Sequence, residues 1–202
     1  MPQPQKDAPV RLTAHASRPV RAGFTLLEIM VTMTVIGVLM GIAFFRLDFR
    51  RNQADAGITV LRTVMEQAMR NSVQKQFNIM VSFDTAGRRV RYVEDVNNNN
   101  TVDVGERVLW KPLENDMKYG TPPSVVAGVY TVGPVVGGNI RTIDAMPTVI
   151  ARRSGALSTD VQVYVTTLRG QNQDFRSIIV AQPTGRVEVY AYGSSSWSIL
   201  KR

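Results

Sequence analysis

The chain has 202 residues, of which 44% are hydrophobic and 20% charged, a composition that allows one ordinary globular domain with appendages. It contains no cysteine, which excludes disulfide scaffolds, zinc–thiolate sites and cysteine nucleophiles. The single histidine, His15, lies in a polar N-terminal tail, so histidine-based catalysis and histidine-cluster metal sites are excluded as well. We therefore do not expect an enzyme, although an active site built from carboxylates alone stays open.

The first 45 residues divide sharply in polarity. Residues 1–23 are polar and carry four Lys/Arg against one Asp. Residues 24–45 are an apolar run of 22 residues whose only ionisable side chain belongs to Glu28. At a rise of about 1.5 Å per residue, such a helix crosses the ~30 Å hydrocarbon core of a bilayer. The pattern therefore predicts one membrane-spanning helix.

Two other kinds of segment could also contain an apolar run at this position. One is a buried helix in the core of a soluble domain. The other is a conventional secretory signal, which expects an apolar stretch of about 7–15 residues followed by a small-residue cleavage site. The run from Phe24 is longer than that, and the small residues Ala22 and Gly23 precede it. Basic residues flank it on both sides, so charge bias leaves the orientation open.

The sequence RAGFTLLE, residues 21–28, stands directly before and inside the apolar run. With the basic leader and the long apolar helix, it resembles the class III signal of type IV prepilins and type II secretion pseudopilins. The resemblance implies that a membrane prepilin peptidase cuts between Gly23 and Phe24 and N-methylates Phe24. It also implies a single-pass subunit of the inner membrane with its head in the periplasm, assembled with other major and minor pilins or pseudopilins.

Glu28 is the one ionisable group inside the apolar run. An ionised carboxylate at the bilayer centre costs about 2.5–3.5 kcal/mol and less near an interface, so such a residue is by default functional and needs a partner. The resemblance implies that the partner is the new α-amino group of Phe24 on a neighbouring subunit, and that this pairing recruits the subunit to the filament. The alternative is a carboxyl that simply lies in the headgroup layer.

The helical pattern continues beyond Phe45 without a proline. Apolar residues recur at spacings of three and four, with polar residues between them: Ile58, Leu61, Met65, Ala68 and Met69. We expect one helix from about Phe24 to about Lys75. Its first half, residues 24–45, lies in the membrane or filament core, and its amphipathic half, residues 46–76, lies against a sheet.

Residues 77–202 show the period-two pattern and frequent turn residues of a β-rich head. The predicted strands are 79–83, 89–93, 107–110, 148–151, 161–165, 176–180 and 186–190, with a hairpin turn at 84–87 and a long loop region at 121–138. One long helix packed on an antiparallel sheet gives an α+β fold, which is the pilin fold that the resemblance implies.

Glycine-centred turns at 152–157 and 183–187 resemble those of the GspH/FimT group of minor pilins and pseudopilins. That resemblance implies a structural subunit at or near the filament tip that helps to initiate assembly. The chain has a net charge of +8, and residues 141–202 contain eight basic residues against four acidic ones. Arginine pairs well with phosphates, so a DNA-binding minor pilin of a DNA-uptake pilus is the alternative function. A dispersed, solvated arginine surface would give the same composition.

The segment from Asp95 to Glu106 matches the twelve-residue EF-hand loop in its oxygen-bearing positions. The expected Ca²⁺ ligands, at positions 1, 3, 5, 7, 9 and 12, are Asp95, Asn97, Asn99, Thr101 through its carbonyl, Asp103 and Glu106. Position 6 is Asn100 where glycine is expected, but asparagine tolerates the left-handed conformation. With three carboxylates, the affinity should suit extracellular calcium. The alternative is an asparagine-rich hairpin turn held by local hydrogen bonds.

Overall fold

The computed structural model describes residues 23–46, 49–114, 116–126, 132–193 and 195–200. Contacts divide the chain into two units, residues 1–47 and residues 48–202. The leader predicted at residues 1–23 lies outside the described residues except for Gly23. Each unit is described by itself.

The first unit contains helix α1, Leu26–Arg46. The helix begins at Leu26 because Thr25 caps it: the Thr25 Oγ1 accepts a hydrogen bond from the Glu28 backbone N–H at 3.2 Å. Every side chain from Gly23 to Ala43 is exposed, although most of them are apolar. Residues 26–43, with a mean hydropathy of 2.2, are the one stretch of the described residues that is long and apolar enough to span a membrane.

The second unit begins with helix α2, Phe49–Lys75. Its buried face contains four of the five predicted apolar positions together with two neighbours: Ala54, Ile58, Leu61, Val64, Met65 and Ala68, all at most 2% exposed. The fifth, Met69, is half-buried at the edge of this face. The amphipathic half of the predicted helix is confirmed. Leu47 and Asp48 lie outside the described residues, so the continuity of one helix from Phe24 to Lys75 stays a prediction.

Among the described residues of the second unit, eleven strands form two antiparallel sheets. The first sheet has the order β3-β2-β1-β7-β6. Its strands are β1 Asn78–Asp84, β2 Arg89–Asp95, β3 Arg107–Pro112, β6 Arg141–Ile143 and β7 Met146–Ala151. The second sheet has the order β11-β10-β9-β8-β4, and β5 also pairs with β8. Its strands are β4 Met117–Tyr119, β5 Val135–Gly137, β8 Val161–Thr167, β9 Arg176–Val180, β10 Val187–Tyr192 and β11 Trp197–Ile199.

The predicted hairpin between β1 and β2 is confirmed in register, with Asp84 opposite Arg89. The turn closes through a hydrogen bond of 2.7 Å from the Gly87 N–H to the Asp84 Oδ1. This bond and the one from the Arg89 guanidinium hold the pKa of Asp84 below its usual value. An Asp at the first turn position and a Gly at the last are typical of such turns.

The main hydrophobic core lies between α2 and the two sheets, because apolar side chains from all three face one another there. The two predicted glycine turns approach α2 from the sheet side. Gly185 has φ +62, and a Cβ built on it would lie 2.7 Å from the Met69 Sδ. Gly155 has φ +86, and a Cβ built on it would lie 3.1 Å from the Val73 Cγ2. Both positions therefore need glycine for backbone conformation and for close packing.

A buried ion pair also fixes α2 to the second sheet. Arg176 on β9 is 3% exposed, and its Nε lies 2.6 Å from the Asp55 Oδ1 on α2. Its Nη1 donates to the carbonyl oxygens of Gln173 and Phe175 at 2.8 and 2.9 Å. The pKa of the nearby Asp174 lies below its usual range. Burial alone would raise this pKa, but the hydrogen bonds from Arg169 and Thr167 and the charges of Arg169 and Arg176 lower it by more.

Candidate functional site

The segment predicted to be processed is fully accessible in the first unit. Phe24 is 80% exposed, and it precedes α1 without being part of it. A Cβ built on Gly23 would meet no atom within 4 Å. Among the described residues, nothing covers these two positions, and a capped helix follows them immediately.

Glu28 occupies the third position of α1, in the first turn of the helix. The sequence Thr25-Leu26-Leu27-Glu28 has the form of a capping box, in which a Glu or Gln at this position supports the helix start. The side chain is exposed like those around it, and no described residue forms an ion pair with it. Its charge therefore has no counterion in the described part of the chain.

The asparagine-rich loop between β2 and β3 folds around Asp95. Asp95 is fully buried, and its two carboxylate oxygens accept the backbone N–H groups of Asn99 at 3.1 Å and Asn100 at 2.9 Å. Asn100 has φ +62, so position 6 adopts the left-handed conformation expected of it. Asn98 also has a positive φ, of 59°. The first half of the loop thus curls around its first carboxylate.

The second half of the loop is closed by Glu106. Its Oε1 accepts the Val96 N–H at 3.2 Å and its Oε2 accepts the Asp103 N–H at 3.1 Å, so the carboxylate reaches back across the whole loop. The Asp103 carboxylate accepts the side-chain amides of Asn97 at 2.7 Å and Asn99 at 2.6 Å. These hydrogen bonds lower the pKa of Asp103.

The structure brings the six predicted calcium ligands into one loop, but local donors satisfy their carboxylates. Among the described residues, no group of three or more His, Cys, Asp or Glu side chains is arranged to hold a metal ion. Asn97 and Asn99 present amide N–H groups to Asp103, and their oxygens accept backbone N–H groups. Both amides donate to Asp103, so the structure shows a self-bonded turn. The calcium site stays a prediction.

The loop is attached to the outer face of the first sheet at two places. Val102 packs against the apolar residues Met80, Val93 and Ile150. The Asn98 Oδ1 accepts the Asn78 N–H at 2.7 Å, and the Asn100 Oδ1 accepts the Asn78 Nδ2 at 3.3 Å. The loop is thus part of the packed head, and its asparagines reach the first residue of β1.

The basic turn considered for DNA follows β7. Arg152 and Arg153 are both exposed there. The turn is closed by backbone bonds from the Gly155 N–H to the Arg152 carbonyl at 2.7 Å and from the Arg152 N–H to the Ala156 carbonyl at 2.8 Å. The two guanidinium groups are therefore not needed to form the turn.

Comparison with known proteins identifies the N-terminal segment. Residues 18–44 match the family model of the prokaryotic N-terminal methylation motif, which confirms the motif predicted from RAGFTLLE. Two solved structures of the minor pseudopilin EpsH from the type II secretion system of Vibrio cholerae are similar to this chain. They have TM-scores of 0.48 and 0.47 at 12% and 11% identity, covering 71% and 72% of this chain and 99% of those chains. No curated protein sequence matches this chain.

Sequence reasoning missed three features of the site region. The capping box at Thr25 was readable from the sequence, as Thr and Glu three residues apart before an apolar run. The contacts of Asn78 with Asn98 and Asn100 join residues 20 and 22 positions apart, and no local pattern signals them. Arg141 was counted only as one of eight basic residues, and its place on an edge strand of the first sheet became visible only in the structure.

Proposed function

We propose that this chain, which carries the N-terminal methylation motif of type IV pilin-like proteins, is a minor pilin or pseudopilin. The observation that carries the proposal is the methylation motif at residues 18–44, which includes a capped helix whose apolar side chains from Leu26 to Ala43 are all exposed within its own unit. Such a surface is stable only in a membrane or among neighbouring helices. An α+β head of two antiparallel sheets on α2 follows it.

In this proposal, the protein is first a single-pass precursor in the inner membrane, with its head in the periplasm. Prepilin peptidase removes residues 1–23 and methylates Phe24. The mature subunit then joins other major and minor pilins or pseudopilins in a type IV pilus or a type II secretion pseudopilus. We place it at or near the tip, where it helps to initiate assembly, because the head resembles the GspH/FimT group in its glycine turns at 155 and 185.

Processing is the direct test of this function. Replacing Gly23 with valine should leave the leader attached, since the peptidase must fit the backbone at the cut closely. Cleavage should fall at least about tenfold, which corresponds to about 1.4 kcal/mol of lost transition-state binding. Intact-mass spectrometry of the chain purified from membranes measures the N-terminus and its methyl group.

Gly23 is a suitable position for this test because a Cβ built there meets no atom of the described residues within 4 Å. A loss of cleavage therefore reports the peptidase and not misfolding. Gly41→Val is the matched control, since that glycine is equally open and lies far along α1. A wild-type mature N-terminus at any residue other than Phe24 would contradict the proposal, as would normal cleavage of Gly23→Val.

The alternative function is a DNA-binding minor pilin of a DNA-uptake pilus. The exposed turn with Arg152 and Arg153 is the observation that favours it, because two guanidinium groups there are free to contact phosphates. A salt-sensitive gel shift that Arg152→Ala/Arg153→Ala abolishes would support this function. A chain that shifts no DNA at low salt would exclude it.

We also propose that the loop from Asp95 to Glu106 binds Ca²⁺. Two observations support this: Asn100 takes the left-handed conformation of position 6, and Glu106 reaches across the loop as the last ligand of such a site does. Asp95, Asn97 and Asn99 would supply side-chain oxygens, Thr101 its carbonyl, and Asp103 and Glu106 carboxylates. The bound ion would connect the ends of β2 and β3.

Calcium binding should raise the melting temperature of the full chain in detergent. At a calcium concentration about tenfold above Kd, mass action adds about 1.4 kcal/mol, which corresponds to about 3–6 °C for a domain of this size. Circular dichroism melts in about 10 mM calcium and in chelator measure the difference. Glu106→Ala should remove the difference.

Glu114→Ala is the matched control for the calcium test, since Glu114 is an exposed carboxylate outside the loop. It should leave the calcium-dependent shift intact. Identical melting curves of the wild-type chain with calcium and with chelator would leave only the self-bonded turn.

A further inference from the structure

A polar cavity of about 470 Å³ opens on the first sheet, beside the asparagine-rich loop. Its lining combines two arginines, Arg141 and Arg152, with the three asparagines Asn78, Asn100 and Asn139. Ile150, 3% exposed, provides an apolar part of the lining. The lining contains no Asp, Glu, Lys or His. The Asp95 carboxylate, which lies behind the lining, is held by the backbone N–H groups of Asn99 and Asn100.

The two arginines differ from most others in the head. Arg91, Arg169 and Arg176 each form an ion pair with an aspartate. Across the described part of the chain, neither Arg141 nor Arg152 forms an ion pair or a side-chain hydrogen bond. Arg141 lies on the edge strand β6, and Arg152 directly follows β7, the strand with which β6 pairs. Two strands of one sheet therefore bring two unpaired guanidinium groups to one cavity.

Neutral donors around the arginines are held in defined orientations. The Asn78 Oδ1 accepts the Arg153 N–H at 3.4 Å, and its Nδ2 donates to the Asn100 Oδ1 at 3.3 Å. Because the oxygen of Asn100 is already engaged, the free group of this side chain is its N–H₂ donor. The Ser158 Oγ, which also lines the cavity, accepts the Ile150 N–H at 3.1 Å and keeps its own O–H to donate.

We propose that this cavity binds a phosphate dianion, either free or as a phosphomonoester. Two guanidinium groups match two negative charges, and arginine pairs with phosphate oxygens through two parallel N–H···O bonds. The amide of Asn100 and the hydroxyl of Ser158 add neutral donors for the remaining oxygens. A carboxylate or a phosphodiester carries one charge and would leave one guanidinium uncompensated.

The size of the cavity leaves room beside the phosphate group. Its volume of about 470 Å³ lies within the range of small-molecule sites, roughly 300–1,000 Å³. The proposal does not depend on whether the chain is a pilin, because it uses only residues of the head.

Calorimetric titration of the full chain in a phosphate-free, nonionic detergent buffer tests the proposal. The probes are inorganic phosphate, glycerol 3-phosphate and, as a monoanion, acetate. We expect both phosphates to bind and acetate to bind at least about tenfold more weakly. Tighter binding of glycerol 3-phosphate assigns the site to esters, and equal binding assigns it to free phosphate. Lowering the pH from about 7.5 to about 5 should weaken glycerol 3-phosphate several-fold, because the ester loses its second charge near pH 6.

Three variants, each of which removes one positive charge, locate the site. Arg141→Gln and Arg152→Gln should each weaken phosphate binding about tenfold or more, since each removes charge-assisted hydrogen bonds. Arg153→Gln is the matched control, because Arg153 is the exposed neighbour of Arg152 and does not line the cavity. It should change the affinity less than about twofold.

Three results would overturn the proposal. One is the absence of phosphate binding to the wild-type chain, and another is equal weakening by Arg153→Gln. The third is a short DNA duplex that binds where glycerol 3-phosphate does not, with equal losses in Arg152→Gln and Arg153→Gln. That pattern would assign the exposed turn to DNA and leave the cavity without a phosphate ligand.

Discussion

Replacing Glu28 with valine is expected to lower incorporation of this chain into filaments by about a hundredfold or more. The physical reason is that the carboxylate has no partner among the residues of its own chain that the structure describes, and the proposed partner is the Phe24 amino group of a neighbouring subunit. Removing one member of an ion pair in a low-dielectric environment costs about 3–5 kcal/mol. Insertion into the membrane should improve, because an ionised carboxylate at the bilayer centre costs about 2.5–3.5 kcal/mol.

The measurement is the ratio of the subunit in the sheared filament fraction to that in the membrane, in cells that lack the wild-type copy. Thr32→Val is the matched control: it also makes α1 more apolar, and Thr32 only donates to the Ile29 carbonyl of its own helix, at 2.9 Å. Glu28→Gln separates charge from helix capping, since glutamine supports a capping box as well as glutamate does. Normal incorporation of Glu28→Gln would contradict the proposed ion pair.

Replacing Arg176 with methionine should destabilise the head by about 3–5 kcal/mol. The substitution leaves the Asp55 carboxylate, 26% exposed, without its partner, and it removes the donor to two backbone carbonyls. In a domain of this size, each kcal/mol shifts the melting temperature by about 2–4 °C, so we expect a fall of about 10 °C. Thermal unfolding of the full chain in detergent, followed by circular dichroism, measures it.

The control for this prediction is Arg62→Met. Arg62 forms an ion pair with Glu66 at the same kind of distance, 2.8 Å, but their side chains are 39% and 35% exposed. Exposed pairs of this spacing on a helix contribute only about 0.3–0.5 kcal/mol. If the two variants melted at the same temperature, burial of the Arg176–Asp55 pair would not be what fixes α2 to the second sheet.

Local patterns predicted the parts of the fold that local interactions form. The turn at Asp84–Gly87, the period-two strands beside it and the apolar face of α2 follow from residues within one turn or one strand of each other. Short edge strands such as β4 and β11, three residues each, were not predicted because three residues show no period. Their positions are set by their partners β8 and β10.

The candidate sites also divide into those formed by contiguous residues and those formed by residues far apart in the sequence. The methylation motif and the oxygen pattern from Asp95 to Glu106 are contiguous, so the sequence contains them whole. The pair of Arg176 with Asp55 joins residues 121 positions apart, and its formation depends on the docking of α2. The cavity around Arg141 and Arg152 draws on segments from residue 78 to residue 158, which only the pairing of β6, β7 and β1 brings together.

The capped start of α1 has a consequence for the mature subunit. Cleavage after Gly23 would leave a positively charged amino group on Phe24, two residues before Leu26 begins the helix. The N-terminal end of a helix already carries about half a positive charge, so a cation there is repelled by roughly 0.3–1 kcal/mol. Each newly cut chain would therefore have an unfavourably placed positive charge at the start of α1, and an approaching carboxylate would neutralise it. Maturation would in this way prepare the subunit to associate, and the uncleaved precursor, with its amide still intact, would lack that driving force.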